Sequence, residues 1–394
     1  MDNKWKTVKI AEVGDVVGGG TPSTKEKLFY GGDIQWITPR DLSGYENVYI
    51  GNGERTISRL GLQNSGARLL PKGTVLFSSR APIGYIAIAS NELSTNQGFK
   101  SVICKKDVVA NVFLYYKLKE NKDNIENIAS GSTFKEVSGE VLGSFEITIP
   151  ESLTEQRAIA KTLYDLDRKI ELNRQMNKTL EEIGKARFIR LFVEENKCSK
   201  PVRLAELIDL DPPVKLRKGE ECFHVDMGEL SKENMSVENT TIKQYSGGAK
   251  YQNRDTLLAR ITPCLENGKT AFVDFLPGKD IVGSGSTEFI VMRAKKGISP
   301  QFVYYLARDD DFRSFAMKSM VGSSGRQRVQ RVMIEGYEMR RPNHSQMDEF
   351  NRITEPLFNY IRILTQEIIS LREIRDSLLP KLISGKIRVG SINL

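Results

Sequence analysis

"GTVLFSSRAPIGYIAIA", residues 73–89, is an apolar run followed by Arg80, a proline, a glycine and a second apolar run. "DTLLARITPCLENGKTAFVD", residues 255–274, repeats that order with Arg260 before its own proline and glycine. Short apolar runs bounded by glycine and proline are typical of buried strands. The sequence therefore predicts one strand–turn–strand device built twice, about 180 residues apart.

Five further pairs of similar segments occur in the same order in the two parts of the chain. They are TVKIAEV (7–13) with PVRLAEL (201–207), STNQGFKSVI (94–103) with GSTEFIVMR (285–293), NVFLYYKL (111–118) with PQFVYYLA (300–307), ASGSTFKEV (129–137) with MVGSSGRQRV (320–329), and FEITIP (145–150) with YEMRRP (337–342). Self-similarity at a constant offset indicates a duplicated structural unit. We therefore predict a tandem duplication.

A long helical pattern follows the last match in each copy. Its apolar residues recur at intervals of three and four, which is typical of a coiled-coil face. The predicted partner-binding and coiled-coil residues are Ile159, Leu163, Leu166, Ile170, Leu180, Phe350, Ile353, Leu357, Leu364, Leu371 and Leu378. Asn173 and Asn177 interrupt this face, where they either fix the register or face solvent. Pro356 is expected to start or kink the second helix, and Pro380 to mark its end.

These patterns predict an α+β fold with two strand-rich α/β domains, in which Trp36 packs in the first core. The expected boundaries are 1–153 for the first globular domain, 154–196 for the first long helix, 197–344 for the second globular domain, 345–387 for the second long helix and 388–394 for a tail. Each helix needs a partner for its apolar stripe. A pseudo-twofold, antiparallel pair of helices about 55–60 Å long is therefore expected to separate the two domains.

Composition narrows the class of protein. The chain has 394 residues, 39% of them hydrophobic and 27% charged, and a net charge of +8. It has no apolar run of membrane-spanning length and no signal-peptide pattern at its N-terminus, so we expect a cytoplasmic protein without a membrane partner. Four scattered cysteines favour reduced thiols. The positive charge suits nucleic acid, although a solvated basic surface is an alternative reading.

Motifs for catalysis are weak. "DPPV" at 211–214 resembles the tetrapeptide of adenine methyltransferases, but its fourth residue is Val214 and no glycine-rich cofactor loop precedes it. "ENGKT" at 266–270 has Pro263 where a phosphate-binding loop needs glycine. Two histidines do not support a zinc site or a catalytic triad. A nuclease site made of metal-binding carboxylates is not excluded, because the spacing between such residues in a sequence follows no strict pattern. We predict no catalytic residue, metal site or cofactor in this chain.

Polar loops recur at corresponding places in both copies, which favours DNA reading over ordinary exposed loops. Arginine pairs with guanine and Asn or Gln with adenine, whereas lysine contacts phosphates. The candidate DNA-contacting residues of the first copy are Lys25, Lys27, Arg40, Ser78, Ser79, Arg80, Thr95, Asn96, Gln97, Lys100, Ser132, Thr133 and Lys135. Those of the second are Lys215, Arg217, Lys218, Arg254, Arg260, Thr262, Asn267, Lys269, Thr287, Ser323, Arg326, Gln327 and Arg328.

The whole chain resembles the specificity (S) subunits of type I restriction-modification systems. The segments that carry the resemblance are GGGTPSTKEKLFYGGDIQWITPRDLS (18–43), LFSSRAPIGYIAI (76–88), STNQGFK (94–100), IPESLTEQRAIAKTLYDLDRKIEL (149–172) and LREIRDSLLPKLISGKIRV (371–389). The second domain departs from the family pattern, because no counterpart of GGDIQWITP is evident and its turn is longer and more polar.

This resemblance implies two target recognition domains that read an asymmetric, bipartite site in double-stranded DNA. It also implies that the helices act as a ruler and dock two methyltransferase (M) subunits, to which restriction (R) subunits can be added. S-adenosylmethionine, ATP and Mg²⁺ would then be bound by those partners. The rival hypotheses are a single-chain DNA methyltransferase or nuclease, and a coiled-coil scaffold with two protein-binding lobes.

Overall fold

The structure is a computed structural model that describes residues 4–130, 135–195, 200–323 and 325–391. It divides into two compact units, one formed by residues 1–171 and 370–394 and the other by residues 172–369. Each unit is described by itself below.

The first unit is built from ten strands and the helices between them. Its elements in chain order are β1 (Trp5–Lys9), α1 (Ile10–Val13), β2 (Gly14–Gly18), β3 (Tyr30–Ile37), β4 (Tyr49–Ile50), β5 (Arg55–Ile57), α2 (Arg59–Gln63), β6 (Val75–Ser79), β7 (Ile83–Ala89), β8 (Ser94–Thr95), β9 (Lys100–Cys104), α3 (Asn111–Glu120), α4 (Lys122–Asn127), α5 (Gly139–Ser144), β10 (Glu146–Pro150) and the first part of α6 (Leu153–Phe188).

The central sheet of the first unit has the order β2-β9-β6-β7-β4, and a smaller sheet has the order β5-β3-β8. Strand β6 is apolar on both faces because both faces are covered. Val75 and Phe77 belong to a core that includes helix α3, whereas Leu76 belongs to a second cluster with Phe99. This double burial explains the unbroken apolar run with which the strand–turn–strand device begins.

The second unit repeats this plan. Its elements are β11 (Pro201–Arg203), β12 (Ile208–Leu210), β13 (Glu221–Val225), β14 (Thr241–Gln244), β15 (Ala249–Tyr251), β16 (Thr256–Ala259), β17 (Thr270–Phe272), β18 (Gly283–Gly285), β19 (Phe289–Ala294), α7 (Pro300–Ala307), α8 (Asp310–Lys318), β20 (Met320–Val321), β21 (Arg328–Val329), α9 (Arg331–Glu335), β22 (Glu338–Arg340) and the first part of α10 (His344–Ile383).

Strand order and register reproduce the duplication that the sequence predicts. The sheet β12-β19-β16-β17 corresponds to β2-β9-β6-β7, and the pair β11–β22 corresponds to β1–β10. Val75 lies opposite Val102 in the first unit, and Thr256 lies opposite Met292 in the second. The two copies therefore share these strands, although β4 extends the central sheet only in the first unit and β15 extends the smaller sheet only in the second.

A counterpart of GGDIQWITP does exist, contrary to the expectation from sequence. Strand β13 pairs antiparallel with β14 and parallel with β18, just as β3 pairs with β5 and β8. His224 lies opposite Ser284 in this arrangement, where Trp36 lies opposite Ser94. Trp36 itself is buried as predicted, and its indole nitrogen donates to the carbonyl of Gly20 at 3.0 Å. The correspondence is not evident from sequence because most residues differ, including the histidine at the position of the tryptophan.

The two long helices are divided between the units. Within the second unit, Asn173 Nδ2 donates to Glu367 Oε2 at 2.8 Å and Asn177 Nδ2 donates to Thr365 Oγ1 at 3.2 Å, while Arg187 bonds Glu349. Residue numbers fall along α10 as they rise along α6, so these segments run antiparallel. Both asparagines are buried, which removes the alternative that they face solvent.

Within the first unit, the remaining segments of the two helices meet through a buried ion pair. Arg375 Nη1 of α10 lies 2.5 Å from Asp167 Oδ1 of α6, and Tyr116 OH of α3 donates to Asp167 Oδ2 at 2.6 Å. The end of α10 joins the same core through Leu379 and Leu382. Each globular part is thus packed against segments of both helices.

The residues of the predicted apolar face are all buried on α6 but only some of them are buried on α10, and their role in a coiled coil or in partner binding stays a prediction. Buried as predicted are Ile159, Leu163, Leu166, Ile170, Leu180, Phe350 and Leu364. Only partly buried are Ile353, Leu357, Leu371 and Leu378. Residues near these positions are buried instead at Thr354, Phe358, Arg375 and Leu379, and two of these are polar. Apolar periodicity alone therefore placed the face one residue away along much of this helix.

Helix α10 begins at His344, passes through Pro356 and Pro380 and ends at Ile383, so neither proline bounds it. Helix α6 ends at Phe188 and continues as a π-helical turn, Ile189–Glu194. Their role as spacers between two recognition domains stays a prediction.

Candidate nucleic-acid interface

The turn between β6 and β7 presents one arginine at the end of a fully buried strand. Arg80 is 37% exposed, and its Nη1 lies 3.6 Å from Glu136 Oε2. Lys100 Nζ lies 3.4 Å from the other oxygen of the same carboxylate. Ala81 has a φ of 49°, and the Ala81–Pro82 peptide bond is cis. Arg80 in the turn and Lys100 at the start of β9 therefore both lie near the carboxylate of Glu136, at one end of the strands of the central sheet.

Ser78 and Ser79 do not belong to an exposed, donor-rich tip, and that part of the prediction is wrong. Both are fully buried. Ser78 Oγ donates to the carbonyl of Pro82 at 2.8 Å and accepts from the Tyr85 amide at 2.8 Å, whereas Ser79 Oγ donates to the carbonyl of Gly98 at 3.2 Å. Because backbone groups inside the turn satisfy these hydroxyls, the serines shape the turn rather than present donors. Thr95 is also buried, so it too is absent from the surface.

The register also corrects the pairing of Arg80 with Arg260. The Val137 amide donates to the carbonyl of Ser79 at 3.0 Å, and the Val329 amide donates to the carbonyl of Arg260 at 3.0 Å. Arg260 therefore occupies the position of Ser79, one residue before the counterpart of Arg80. The two prolines do correspond, and both follow cis peptide bonds. The two turns share this proline, but the second is longer, and they present their arginines from different positions.

The second unit has its own cluster around a carboxylate, with the charges placed on different segments. Arg328 donates from Nε to both oxygens of Glu288 at 2.9 Å and from Nη2 to Oε1 at 2.6 Å. These hydrogen bonds, together with the charges of Arg328 and Arg260, lower the pKa of Glu288. Strand register places Arg328 at the position of Glu136 in the first unit. At this corresponding position the first unit therefore carries a negative charge, on Glu136, and the second unit carries a positive charge, on Arg328.

The other candidate residues divide by exposure. Exposed are Lys25, Lys27, Arg40, Gln97, Lys135, Lys215, Arg217, Lys218, Arg254, Asn267, Thr287, Ser323 and Arg326. Partly exposed are Arg80, Asn96, Lys100, Arg260, Thr262, Lys269, Gln327 and Arg328. Ser132 and Thr133 lie outside the described residues.

Several of the second-unit candidates are engaged in contacts within the fold. Thr262 Oγ1 donates to the carbonyl of Gln327 at 3.2 Å, which ties the turn to β21. Lys269 Nζ donates to the carbonyl of Met227 at 2.8 Å. Arg254 lies at the other end of β16 from Arg260 and pairs with Glu355 of α10 at 3.3 Å. The structure therefore separates Arg254 from the cluster around Glu288.

Sequence reasoning missed the acidic members of both clusters. Glu136 and Glu288 are absent from the predicted DNA-contacting residues, although a carboxylate can orient an arginine or accept from cytosine. The signal was available in each case, since Glu136 follows Lys135 in a candidate loop and Glu288 follows Thr287. It also missed Gln330, whose Oε1 accepts from Arg260 Nη2 at 3.4 Å.

A cavity of about 500 Å³ lies elsewhere in the first unit, between the sheet and the start of α6. Its lining includes Lys72, Lys106, Arg157 and Lys161 around an apolar floor that contains Tyr164. No candidate DNA-contacting residue lines it, so the cavity is separate from the cluster around Glu136.

The described residues contain neither a helix suited to cross a membrane nor a cluster of side chains suited to a metal ion. Within residues 4–130, 135–195, 200–323 and 325–391, no helix has the length and apolar character needed to cross a membrane. The same part of the chain holds no group of three or more His, Cys, Asp or Glu side chains arranged for a metal ion. Cys104, Cys222 and Cys264 are free thiols, and burial raises the pKa of Cys104 to about 12.

Known proteins resemble this chain in sequence and in fold. A family model described as "Type I restriction modification DNA specificity domain" matches residues 2–182. The chain is 32% identical to the type I restriction enzyme MjaIX specificity subunit of Methanocaldococcus jannaschii, over 98% of this chain and 94% of that protein. It is 26% identical to the EcoR124I/EcoR124II specificity subunit of Escherichia coli, over 42% of this chain and 41% of that protein.

Among solved structures, the type I restriction-modification system S subunit from M. genitalium superimposes with a TM-score of 0.60 at 18% sequence identity. The superposition covers 97% of this chain and 96% of that chain. At this level of identity the comparison concerns the fold alone.

Proposed function

Because this chain belongs to the family of type I restriction-modification specificity subunits, we propose that it reads DNA sequence for a multisubunit enzyme and is itself non-catalytic. Each unit reads one half of a bipartite, asymmetric site in double-stranded DNA. The observation that carries this proposal is the recurrence of a charged cluster, around Glu136 in one unit and Glu288 in the other, at the same end of corresponding strands.

The two half-sites differ because the two clusters differ. Arginine donates two hydrogen bonds to guanine, and a carboxylate accepts from the amino group of cytosine. With Glu136 where the second unit has Arg328, the donors and acceptors cannot be arranged alike in the two copies. Exposed lysines such as Lys25, Lys135 and Lys215 provide phosphate contacts, which position the protein without reading sequence.

Catalysis belongs to the partners in this proposal. Two methyltransferase subunits dock on this chain, restriction subunits join them, and the assembly works on cytoplasmic DNA. The partners hold S-adenosylmethionine, ATP and Mg²⁺. An enzyme that methylates a base in a duplex must first extrude it, so the role of this chain is to place the partner's pocket beside the right adenine. The two long helices set the number of unread base pairs between the half-sites.

Mapping of N6-methyladenine across the genome by long-read sequencing tests this proposal. Cells that express this chain with its cognate methyltransferase subunit are compared with cells that express the methyltransferase subunit alone. We expect a bipartite methylated motif that disappears when this chain is removed. That motif would give both half-sites and the gap at once.

A positive control is needed for the partner, because an inactive methyltransferase would also leave DNA unmodified. Binding of S-adenosylmethionine by the purified partner provides it. An unchanged set of methylated sites with an active partner would contradict the proposal and favour a coiled-coil scaffold. In that case the chain's binding to DNA would be weak and indifferent to salt, whereas phosphate-dominated binding weakens steeply as salt rises.

A further inference from the structure

Arg328 is held by a carboxylate in a way that leaves a defined pair of donors unused. The arginine begins strand β21 and its side chain is 40% exposed. Its Nε donates to both oxygens of Glu288 at 2.9 Å, and its Nη2 donates to Oε1 at 2.6 Å. The Nη1 group donates to the carbonyl of Arg326 at 3.4 Å. Each of the three nitrogens therefore uses one hydrogen within the protein.

The remaining donors match the needs of one base. A guanidinium group carries five N–H groups, one on Nε and two on each terminal nitrogen. After these contacts with the described residues, one N–H remains on Nη1 and one on Nη2. Guanine offers two acceptors, N7 and O6, at its major-groove edge, and the commonest specific contact to it is a bidentate one from arginine.

We propose that Glu288 is a positioning residue that fixes Arg328 so that its two remaining N–H groups read a guanine in the half-site of the second unit. This inference rests on the proposed function and names a specificity determinant within it. The carboxylate touches no base itself; it acts by restricting the arginine to one orientation before DNA arrives.

Both members of the pair are anchored to the same strand end, which gives the arrangement its rigidity. The Arg260 amide donates to the carbonyl of Glu288 at 2.9 Å, and the Val329 amide, next to Arg328, donates to the carbonyl of Arg260 at 3.0 Å. The Glu288 amide in turn donates to Ser286 Oγ at 3.2 Å. A bidentate, charge-assisted pair between two fixed backbones holds a side chain more tightly than one contact would.

The first unit shows the contrast. Arg80 Nη1 lies 3.6 Å from Glu136, beyond hydrogen-bond distance, and Lys100 shares the same carboxylate. That contact does not fix which N–H groups of the Arg80 guanidinium point outward. The two units therefore differ in how firmly their arginines are placed, and the inference is confined to Arg328.

The test uses the full chain bound to its methyltransferase subunits and selects duplexes from a randomised pool. We expect wild type to select a guanine at one position of the second unit's half-site, and Glu288→Gln to weaken that preference by about 5- to 150-fold. Arg328→Lys, which keeps the charge but loses the bidentate edge, should weaken the same position. The double variant should lose no more of the guanine preference than either single variant, because the two residues contribute to that preference through one shared contact.

The matched control is Glu335→Gln, which removes a carboxylate from an Arg–Glu pair of the same unit, Arg331 with Glu335 at 2.7 Å. It should leave the guanine preference unchanged. Thermal unfolding of each variant confirms that the unit is folded. Glu288→Gln that binds all duplexes more tightly with its base preference unchanged would overturn the inference, since Glu288 would then only repel phosphate. A wild type that selects no motif would instead contradict the proposed function.

Discussion

Glu181 shows how far the interior of the second unit changes the chemistry of one residue. The side chain is buried; its Oε1 accepts from the Met235 amide at 2.5 Å and its Oε2 accepts from Tyr304 OH at 3.0 Å. Burial raises the pKa of Glu181 to about 7, and the hydrogen bonds and Arg308 oppose this only in part. The folded unit therefore retains a proton on this carboxyl that the unfolded chain releases near pH 4.5.

The stability of the second unit should consequently fall as pH rises from about 4.5 to about 7. Over that range the folded state binds more protons than the unfolded state, so the free energy of unfolding decreases with pH. Glu181→Gln removes this titration while its amide can still meet both partners. We expect the variant to be more stable than wild type above pH 7, by up to about 3 kcal/mol. Urea unfolding at pH 5 and pH 8 measures the difference.

Other acids of this unit, such as the partly buried Asp274, have a raised pKa as well, so the comparison with wild type isolates Glu181. Glu182→Gln is the matched control, because Glu182 is the exposed neighbour on the same helix. Equal pH dependence for wild type and Glu181→Gln would contradict the prediction.

Single residues also mark where sequence reasoning succeeds and where it fails. Trp36 was predicted in the core from its size and apolar setting, and it is buried there. Ser78 and Ser79 were predicted at the surface from their polarity, yet they are buried because turn backbone groups satisfy their hydroxyls. A hydroxyl is small enough to be paired internally, and only coordinates show whether its partner is water or backbone.

At the scale of elements, helix α10 shows why a periodic apolar pattern can predict a helix correctly and yet place its buried face one residue away. Its buried face includes Thr354, Arg375 and Thr365. A search for apolar residues alone passes over these polar positions and selects Leu357 and Leu378 beside the true face. The existence of the helix was predictable from the sequence. Its exact packing face was not, because polar side chains enter it through specific partners.

Arg375 should be the most sensitive polar residue in the helix contact of the first unit. Its guanidinium lies 2.5 Å from Asp167, and both side chains are buried. Arg375→Met leaves the Asp167 carboxylate with Tyr116 as its hydrogen-bond partner and Lys119 as a nearby cation among the described residues, and removal of one member of a buried pair costs about 3–5 kcal/mol. Adding Asp167→Asn removes the stranded charge and should recover part of the loss. Urea midpoints of the single and double variants measure both effects.

Lys161→Met is the control for this prediction. Lys161 pairs with Asp165 on the same helix at 2.5 Å, but both side chains are exposed. Exposed pairs contribute at most about 1 kcal/mol, so this variant should unfold close to wild type. A similar loss for Arg375→Met and Lys161→Met would show that burial does not govern the strength of the Arg375 pair.

At the scale of the whole molecule, the duplication was readable from sequence because its glycines, prolines and apolar runs fix strands and turns. The charged clusters on that common scaffold were not readable in the same way. The sequence repeat pairs Arg260 with Arg80, whereas the strand register aligns Arg260 with Ser79. His224 stands where the first copy has Trp36. The residues that we propose to read DNA differ between the copies while most of the strands correspond, so sequence similarity is lost at those positions.

The proposed ruler makes a prediction about length. Removal of residues 168–174 from α6 together with 367–373 from α10 deletes facing segments that include the mutually bonded Asn173 and Glu367. The contacts Asp167–Arg375 and Asn177–Thr365 remain available on either side. Seven helical residues correspond to about 10 Å, the rise of about three base pairs. We expect the methylated motif to keep both half-sites and to lose about three base pairs from its gap.

Deletion of residues 168–174 alone is the control that separates length from disruption. With only α6 shortened, the pairs Asp167–Arg375 and Asn177–Thr365 cannot both form, so we expect loss of folding or of complex assembly rather than a new gap. The methylated motif, read for wild type and for both deletions, decides between the outcomes. A folded, active double deletion with an unchanged gap would mean that the helices do not set the spacing, and the distance between half-sites would then have to be fixed by the partner subunits.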